Sequence, residues 1–254
     1  MPRIDCLMAT RNRLWCLPSS IRCFQAQTYD PHRRTLLIYN DGEPIYDVLR
    51  DCGFTFSYEQ KILSQPNAPT VEFWRDNDQN IIRLIDTSLS DPYKLQVHIK
   101  WNALLRYASS SDYIALWDDD DYFAADRLQT QLEFLLANRV ELVAAVETPY
   151  YDLVTKRKVI FVGHLENDFI DGTLLFKKKR DEFFDEKVKD WNAVALWLDH
   201  RPEALVCKDH GKLFVFTKHR FNSSSVSFGH AFKEGQFDIP KLLQQSEERY
   251  EAIP

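Results

Sequence analysis

The stretch Tyr113-Ile114-Ala115-Leu116-Trp117-Asp118-Asp119-Asp120-Asp121 joins an apolar, strand-like run to four consecutive aspartates. A short run that is apolar throughout suits a strand covered on both faces. Carboxylates clustered at its end repel one another unless a cation sits among them, and hard divalent ions such as Mg²⁺ or Mn²⁺ take oxygen ligands of this kind. Magnesium typically binds through one or two carboxylates together with phosphate oxygens. The stretch therefore predicts a metal–diphosphate site at the carboxyl end of a strand, the edge at which open α/β sheets bind ligands. A solvated acidic turn is the plain alternative; the strand-end placement and the flanking sequence argue against it.

Working outward, short apolar runs alternate with helical patterns. Residues 4–8 and Thr35–Tyr39 read as strands, the second closed by the turn Asn40-Asp41-Gly42. Between them Pro18 opens a helical segment with Leu17, Ile21 and Phe24 on one face. A short helix is expected over 44–51, strands near 54–58 and 81–85, and amphipathic helices over 93–108 and 123–138. Leu142–Val146 adds a strand, Tyr150–Val154 and Lys158–Val162 a hairpin, and Thr173–Phe176, Ala204–Cys207 and Leu213–Thr217 further strands around a helix over 190–199. This alternation predicts an α/β fold: a Rossmann-like domain with a mostly parallel, mixed central sheet and helices on both faces. Residues 1–229 are read as one domain, with a nucleotide-binding half (1–146) and an acceptor half (147–229), followed by a tail or surface helix over 230–254.

Composition narrows the class. The 254 residues carry a net charge of −6, with 44% hydrophobic and 28% charged residues, as in a soluble globular protein. The negative charge argues against nucleic acid as a partner. No apolar run of about 18 residues is present to span a membrane, and the start of the chain carries no basic-then-apolar leader, so a cytoplasmic location is expected. The five cysteines are scattered without a CxxC pair, which reads as buried thiols in a reducing compartment.

Several further motifs accompany the acidic cluster: Met8-Ala9-Thr10-Arg11-Asn12-Arg13, Ala26-Gln27-Thr28-Tyr29, Asn40-Asp41-Gly42-Glu43, Lys100-Trp101-Asn102, Asp126-Arg127-Leu128, Asp171-Gly172-Thr173, Lys189-Asp190, and the closing run Phe216 to Ser224 with His219. In this order the chain resembles a family-two glycosyltransferase of the GT-A fold, from about residue 3 to residue 225. The resemblance implies transfer of a sugar from a nucleoside-diphosphate sugar, with inversion, to a glycan or to a lipid-linked or protein-linked acceptor, with Mn²⁺ or Mg²⁺ as cofactor. It places Thr10, Arg11, Asn12 and Asp41 around the nucleoside, and Lys100 and Asn102 on the donor side. Asp118-Asp119-Asp120-Asp121 matches the DxD motif, with Asp118 and Asp119 among the donor-binding residues and Asp120, Asp118 and His219 as metal ligands. Gly172 and Thr173 border the sugar, and Asp190 takes the place of the catalytic base. Two positions depart from the family pattern: Asn40 stands where an acid is usual, and Lys189 replaces a glutamate beside Asp190.

The chemistry needs these parts whatever the family. A diphosphate leaving group gains negative charge that a metal, lysine or histidine can stabilise, and the acceptor hydroxyl needs a carboxylate within reach to take its proton. Taken singly, Asp190 also suits a helix N-cap, Asp41-Gly42 an ordinary turn, and Lys177-Lys178-Lys179-Arg180 a solvated face, with room for peripheral association at the inner face of a membrane. Two other functions fit parts of the pattern. A metal-dependent nucleotidyltransferase would add a glycine-rich phosphate loop, which residues 9–13 lack. A catalytically inactive nucleotide-sugar or glycan-binding module would draw its support from Lys189 and Asn40.

Overall fold

In the computed structural model of the chain, the first half runs β1 (Ile4–Thr10), α1 (Leu17–Gln25), β2 (Arg34–Asn40), α2 (Tyr46–Asp51), β3 (Thr55–Gln60), β4 (Val71–Arg75), β5 (Ile81–Asp86), α3 (Val97–Tyr107) and β6 (Tyr113–Leu116). It continues with β7 (Tyr122–Phe123), α4 (Arg127–Asn138), β8 (Leu142–Ala145), β9 (Glu147–Asp152), β10 (Lys158–Val162), β11 (Leu175–Lys177), β12 (Ala204–Cys207), β13 (Phe214–Lys218), β14 (Ala231–Glu234) and α5 (Lys241–Glu251). The structure describes residues 1–60, 70–87, 95–108, 110–145, 147–162, 171–179, 184, 204–207, 213–220, 231–234 and 236–252.

A nine-stranded sheet has the order β12-β8-β11-β6-β1-β2-β5-β4-β3, and a five-stranded sheet the order β14-β10-β9-β13-β7. In the larger sheet β1 pairs in parallel with both β2 and β6, while β11 and β4 run against their neighbours. The result is a mostly parallel, mixed α/β sheet. Its central strands, β1, β2, β6 and β8, are covered on both sides, which is why their sequences read as largely apolar runs. Along β1, Ile4, Cys6 and Met8 pack with Leu17, Ile21 and Phe24 of α1 and with Leu128, Leu132 and Leu135 of α4. Leu7 points the other way, to Trp101, Leu104 and Leu105 of α3.

The chain leaves β1 to one side, toward β2, and later crosses to the other side to form β6. The gap between their carboxyl ends is thus a topological switch point, where such sheets leave a ligand crevice. Thr10 and Asn40 end β1 and β2 in register, and Asp118–Asp121 follow β6 at the same edge.

Several boundaries differ from the sequence expectation. The α3 helix starts at Val97, and α4 only at Arg127, because Tyr122–Phe123 are taken into an antiparallel pairing with β13. Strand β4 was not expected: Val71-Glu72-Phe73-Trp74-Arg75 mixes charge with aromatics, yet buries Val71 and Trp74. The segment from 230 onward, expected as a surface helix or tail, contributes a strand paired with β10 as well as a helix with Leu243, Ser246 and Tyr250 buried. The helix expected over 190–199, and with it Lys189 and Asp190, lies outside the described residues. Cys6, Cys16, Cys23 and Cys52 are free and buried.

Candidate functional site

The four aspartates after β6 receive four different environments. Trp117, the last apolar residue, sends its indole N–H to the Ser20 hydroxyl (3.0 Å), and that hydroxyl donates to the Asp118 carbonyl (2.8 Å), which ties the loop to α1. The Asp118 carboxylate lies against the backbone of Gly172: a Cβ at that glycine would fall 2.3 Å from Asp118 Oδ2. Burial, then the charges of Asp120, Asp171 and Asp119, push the Asp118 carboxyl up to about 8. Asp171 is itself pushed up to about 7 by burial.

Asp119 and Asp120 share one cation. Arg13 Nη1 donates to Asp119 Oδ1 (2.6 Å) and to Asp120 Oδ2 (2.8 Å), with the Arg13 side chain only 16% exposed. Burial pulls the Arg13 guanidinium down, but the two carboxylates outweigh it and raise it above its ordinary value. For Asp120, burial favours the neutral form, and Arg13 and His219 overcome that to hold the carboxyl below its ordinary value. Asp119 stays raised: burial outweighs Arg13, and its Oδ2 has no hydrogen-bond partner among the described residues.

His219, just after β13, places Nε2 2.8 Å from Asp120 Oδ2 and is fully buried. An ionised carboxylate only accepts, so Nε2 carries the proton in this arrangement. Asp121 accepts the Thr217 N–H (2.8 Å), which fastens the acidic loop to β13. Asp121 therefore orients the loop, and burial raises its carboxyl well above the ordinary value.

Beside this cluster, Asp41 collects Lys100 Nζ (2.5 Å), Arg11 Nη1 (3.2 Å) and the Leu95 N–H (3.1 Å). Lys100 also reaches the Thr10 carbonyl (3.4 Å), and burial lowers its ammonium despite Asp41. Asn12 adopts φ 53°, a left-handed turn that asparagine tolerates, and its Oδ1 accepts the Glu43 N–H (2.8 Å). Asn40 accepts the Gly42 N–H and donates to the Glu43 carbonyl, so it shapes the turn that presents Asp41. An amide does here what a carboxylate could not, since it both donates and accepts.

The structure thus gathers Thr10, Arg11, Asn12, Asp41, Lys100, Asp118, Asp119, Asp120, Gly172 and His219 around the switch point. It does not bring Asn102 there: both ends of its amide hold the main chain of Phe184, at 2.8 Å each. Thr173 is likewise engaged elsewhere, its hydroxyl accepting the Ala145 N–H (3.0 Å). Arg13 and Asp171 were missed as site residues although each sits inside a quoted motif; an arginine in the loop between β1 and α1 carries no sequence mark of which carboxylate it meets. Arg127, also in a quoted motif, is fully buried, bonds the carbonyls of Leu116 and Gly172 at 2.8 Å, and lies over the rings of Trp117, Phe123 and Phe214. It locks β6 to the Gly172 turn.

Among the described residues no three His, Cys, Asp or Glu side chains form a ready-made metal cage. The donor set nevertheless suits a hard divalent ion: carboxylates, one imidazole, and the orphaned Asp119 Oδ2. Magnesium-type sites completed by substrate phosphates need only one or two protein ligands. Asp120 and Asp119 meet that requirement, and His219 would join them by giving up its Nε2 proton and its bond to Asp120.

No protein-family model matches the chain, and no curated protein matches it by sequence. Solved structures match by fold. The crystal structure of S. aureus TarS 1-349 superposes with a TM-score of 0.57 at 11% identity, over 85% of this chain and 60% of that one. Its complex with UDP-GlcNAc gives 0.59 at 13%, over 89% and 62%. The mannosyltransferase PcManGT from Pyrobaculum calidifontis, in complex with GDP-Man and Mn2+, gives 0.56 at 14%, over 85% and 56%. At such identities the likeness establishes the fold, a GT-A-like relative of the Rossmann architecture. The chain spans about 60% of the length of the TarS 1-349 structure.

Proposed function

We propose that this chain transfers a sugar from a nucleoside-diphosphate sugar to a hydroxyl of a glycan, lipid-linked or protein-linked acceptor, with a divalent cation and inversion at the anomeric carbon. The observation that carries the reading is the grip on Asp120 at the switch point, where Arg13 and His219 arrive from different elements onto one carboxylate oxygen. Solved structures of the same fold that hold UDP-GlcNAc, or GDP-Man with Mn2+, support it.

In this reading Asp120 and His219, with Asp118 beside them, hold Mn²⁺ or Mg²⁺, which when bound would neutralise charge on the diphosphate as a Lewis acid. Arg13 and Lys100 supply further positive charge at the same edge, fixed in place by buried carboxylates before any donor arrives. Asp41, anchored by Lys100, Arg11 and the Leu95 N–H, is preorganised to accept from a base or ribose donor. The turn role of Asn40 removes one argument for an inactive module. Asp190 is assigned as the general base by resemblance alone; if Asp190→Asn abolishes donor binding instead of turnover, Asp171, next to Asp118, is the group to test. No helix among the described residues is long and apolar enough to cross a membrane.

Calorimetric titration of UDP, GDP, dTDP, ADP and CDP, each with and without Mn²⁺, tests the reading. One diphosphate binds only with the metal, and Asp120→Asn abolishes that binding while the protein stays folded. Failure of all five to bind the folded wild-type chain refutes the proposal.

A further inference from the structure

The C-terminal helix α5 makes contacts that apolar packing alone does not require. Its buried face, Leu243, Ser246 and Tyr250, follows helical spacing. Tyr250 lies 5.1 Å from the Trp15 ring and 6.2 Å from the His219 ring, while Trp15 meets His219 edge-on at 4.9 Å. The Tyr250 hydroxyl accepts the N–H of Arg220, the residue after His219 (3.2 Å). One position earlier, Arg249 Nη1 donates to the Trp15 carbonyl (3.2 Å).

These contacts converge on the two segments that hold Asp120. Trp15 belongs to the tight turn in which the Arg13 carbonyl accepts the N–H groups of Cys16 and Leu17, so fixing Trp15 fixes the backbone from which Arg13 reaches Asp119 and Asp120. Arg220 is bonded directly to His219. One flank of that face sets the rotation of α5: Glu247 accepts from Tyr151 (2.8 Å), and Lys156 pairs with Glu247 and Glu251. At its start, the Leu242 carbonyl accepts the Ser19 hydroxyl of α1 (2.8 Å). Held near its start by Ser19 and along one flank by Tyr151 and Lys156, the helix presents Tyr250 to the Trp15 and His219 rings.

We propose that α5 is a positioning element of the site: Tyr250 and Trp15 hold the His219 ring on Asp120, and Arg249 holds the Arg13 turn. Neither Trp15, Arg249 nor Tyr250 touches the carboxylate cluster in any contact described, so they act through His219 and Arg13. The inference rests on the proposed function only in taking Asp120 and His219 as the ion-binding pair.

Histidine-ring ¹⁵N NMR on the full chain, with His219 assigned through His219→Gln, reads the Asp120 hydrogen bond with no ligand present. Tyr250→Phe keeps the ring and removes the acceptor for Arg220; Trp15→Leu removes the edge-on ring. Both variants shift the His219 Nε2 signal toward that of an imidazole free of a carboxylate. Tyr250→Phe also weakens binding of Mn²⁺ alone, by about three- to tenfold for loss of the Arg220 hydrogen bond, and Trp15→Leu weakens it in the same direction. Unchanged His219 signals in folded Tyr250→Phe and Trp15→Leu overturn the inference. Shifted signals in a chain whose wild type binds no Mn²⁺ leave the positioning role standing and refute the ion-binding reading instead.

Discussion

Replacing Arg13 by methionine tests whether the acidic cluster depends on a built-in counter-ion. The guanidinium makes two charge-assisted bonds, to Asp119 Oδ1 and Asp120 Oδ2, and the carboxylate side chains are only 1% and 7% exposed. Methionine keeps most of the volume and removes the charge, leaving the carboxylates without their guanidinium. Breaking one side of a buried ion pair costs about 3–5 kcal/mol. Two bonds to charged groups at about 1.5–3 kcal/mol each reach the same range. With a urea slope of about 3 kcal/mol/M for a chain of this size, the midpoint drops by about 1–2 M at pH 7.

The pH dependence separates charge from packing. Asp120 is held below its ordinary value, so its contribution is present above the unfolded carboxylate range and is lost as pH falls through the folded value. The gap between wild type and Arg13→Met is therefore full near pH 7 and closes only as pH falls below the ordinary carboxylate value of 3.8, through the lower folded value of Asp120. Under the proposed function Mn²⁺ can take over the counter-charge, returning about 2.7 kcal/mol to the variant at 100 times its dissociation constant. Urea unfolding at pH 7 and at about pH 2.5, with chelator and, at pH 7, with Mn²⁺, measures all three effects. An unchanged midpoint at pH 7, or an equal drop at both pH values, refutes the reasoning.

Two further substitutions probe the same edge. Asp118→Asn flattens the pH dependence of stability: burial and the neighbouring carboxylates raise the Asp118 carboxyl to about 8, so the wild type loses stability as pH rises from 4 toward 8, and the amide does not. In chelator the variant gains stability relative to wild type as pH rises toward 8, and parallel stability curves would contradict the assignment. Gly172→Ala puts a methyl 2.3 Å from Asp118 Oδ2 and 2.9 Å from its Cγ, so the carboxylate has to move. The cost is about 1–3 kcal/mol, with weaker Mn²⁺ binding in the same calorimetric titration; wild-type stability and affinity would show that Asp118 is free to turn away.

The central strands were legible because β1, β2 and β6 are buried on both faces, which leaves an apolar run that no helix period explains. The acidic loop was legible for the opposite reason: four charges in a row cannot join such a strand, so they mark where it ends. Edge elements carry weaker marks. In β4 the charged Glu72 and Arg75 break the apolar pattern, and Ala231-Phe232-Lys233-Glu234 of β14 reads as polar surface. Partners distant in sequence leave no local sign at all. Asn102 stands in the helix where a donor-side amide was expected, yet it bonds Phe184 from 82 positions away. Arg11 and Arg13 share one loop, and only the fold sends Arg11 to Asp41 and Arg13 to Asp119 and Asp120.

The energetics of the acidic loop bear on why it exists. Burying Asp118, Asp119 and Asp121 raises all three carboxyls, which means their charged forms are destabilised in this fold. Arg13, His219 and the Thr217 N–H offset part of that cost, but neutral residues of similar volume would need no such compensation, and replacing buried charges with apolar groups is often stabilising. The fold is therefore not what calls for four aspartates at the end of β6. Local departures from the best stability choice gather where a protein binds or reacts. Here the departure lies at the switch point of the sheet, beside a lysine, two arginines and a histidine that are already held in place.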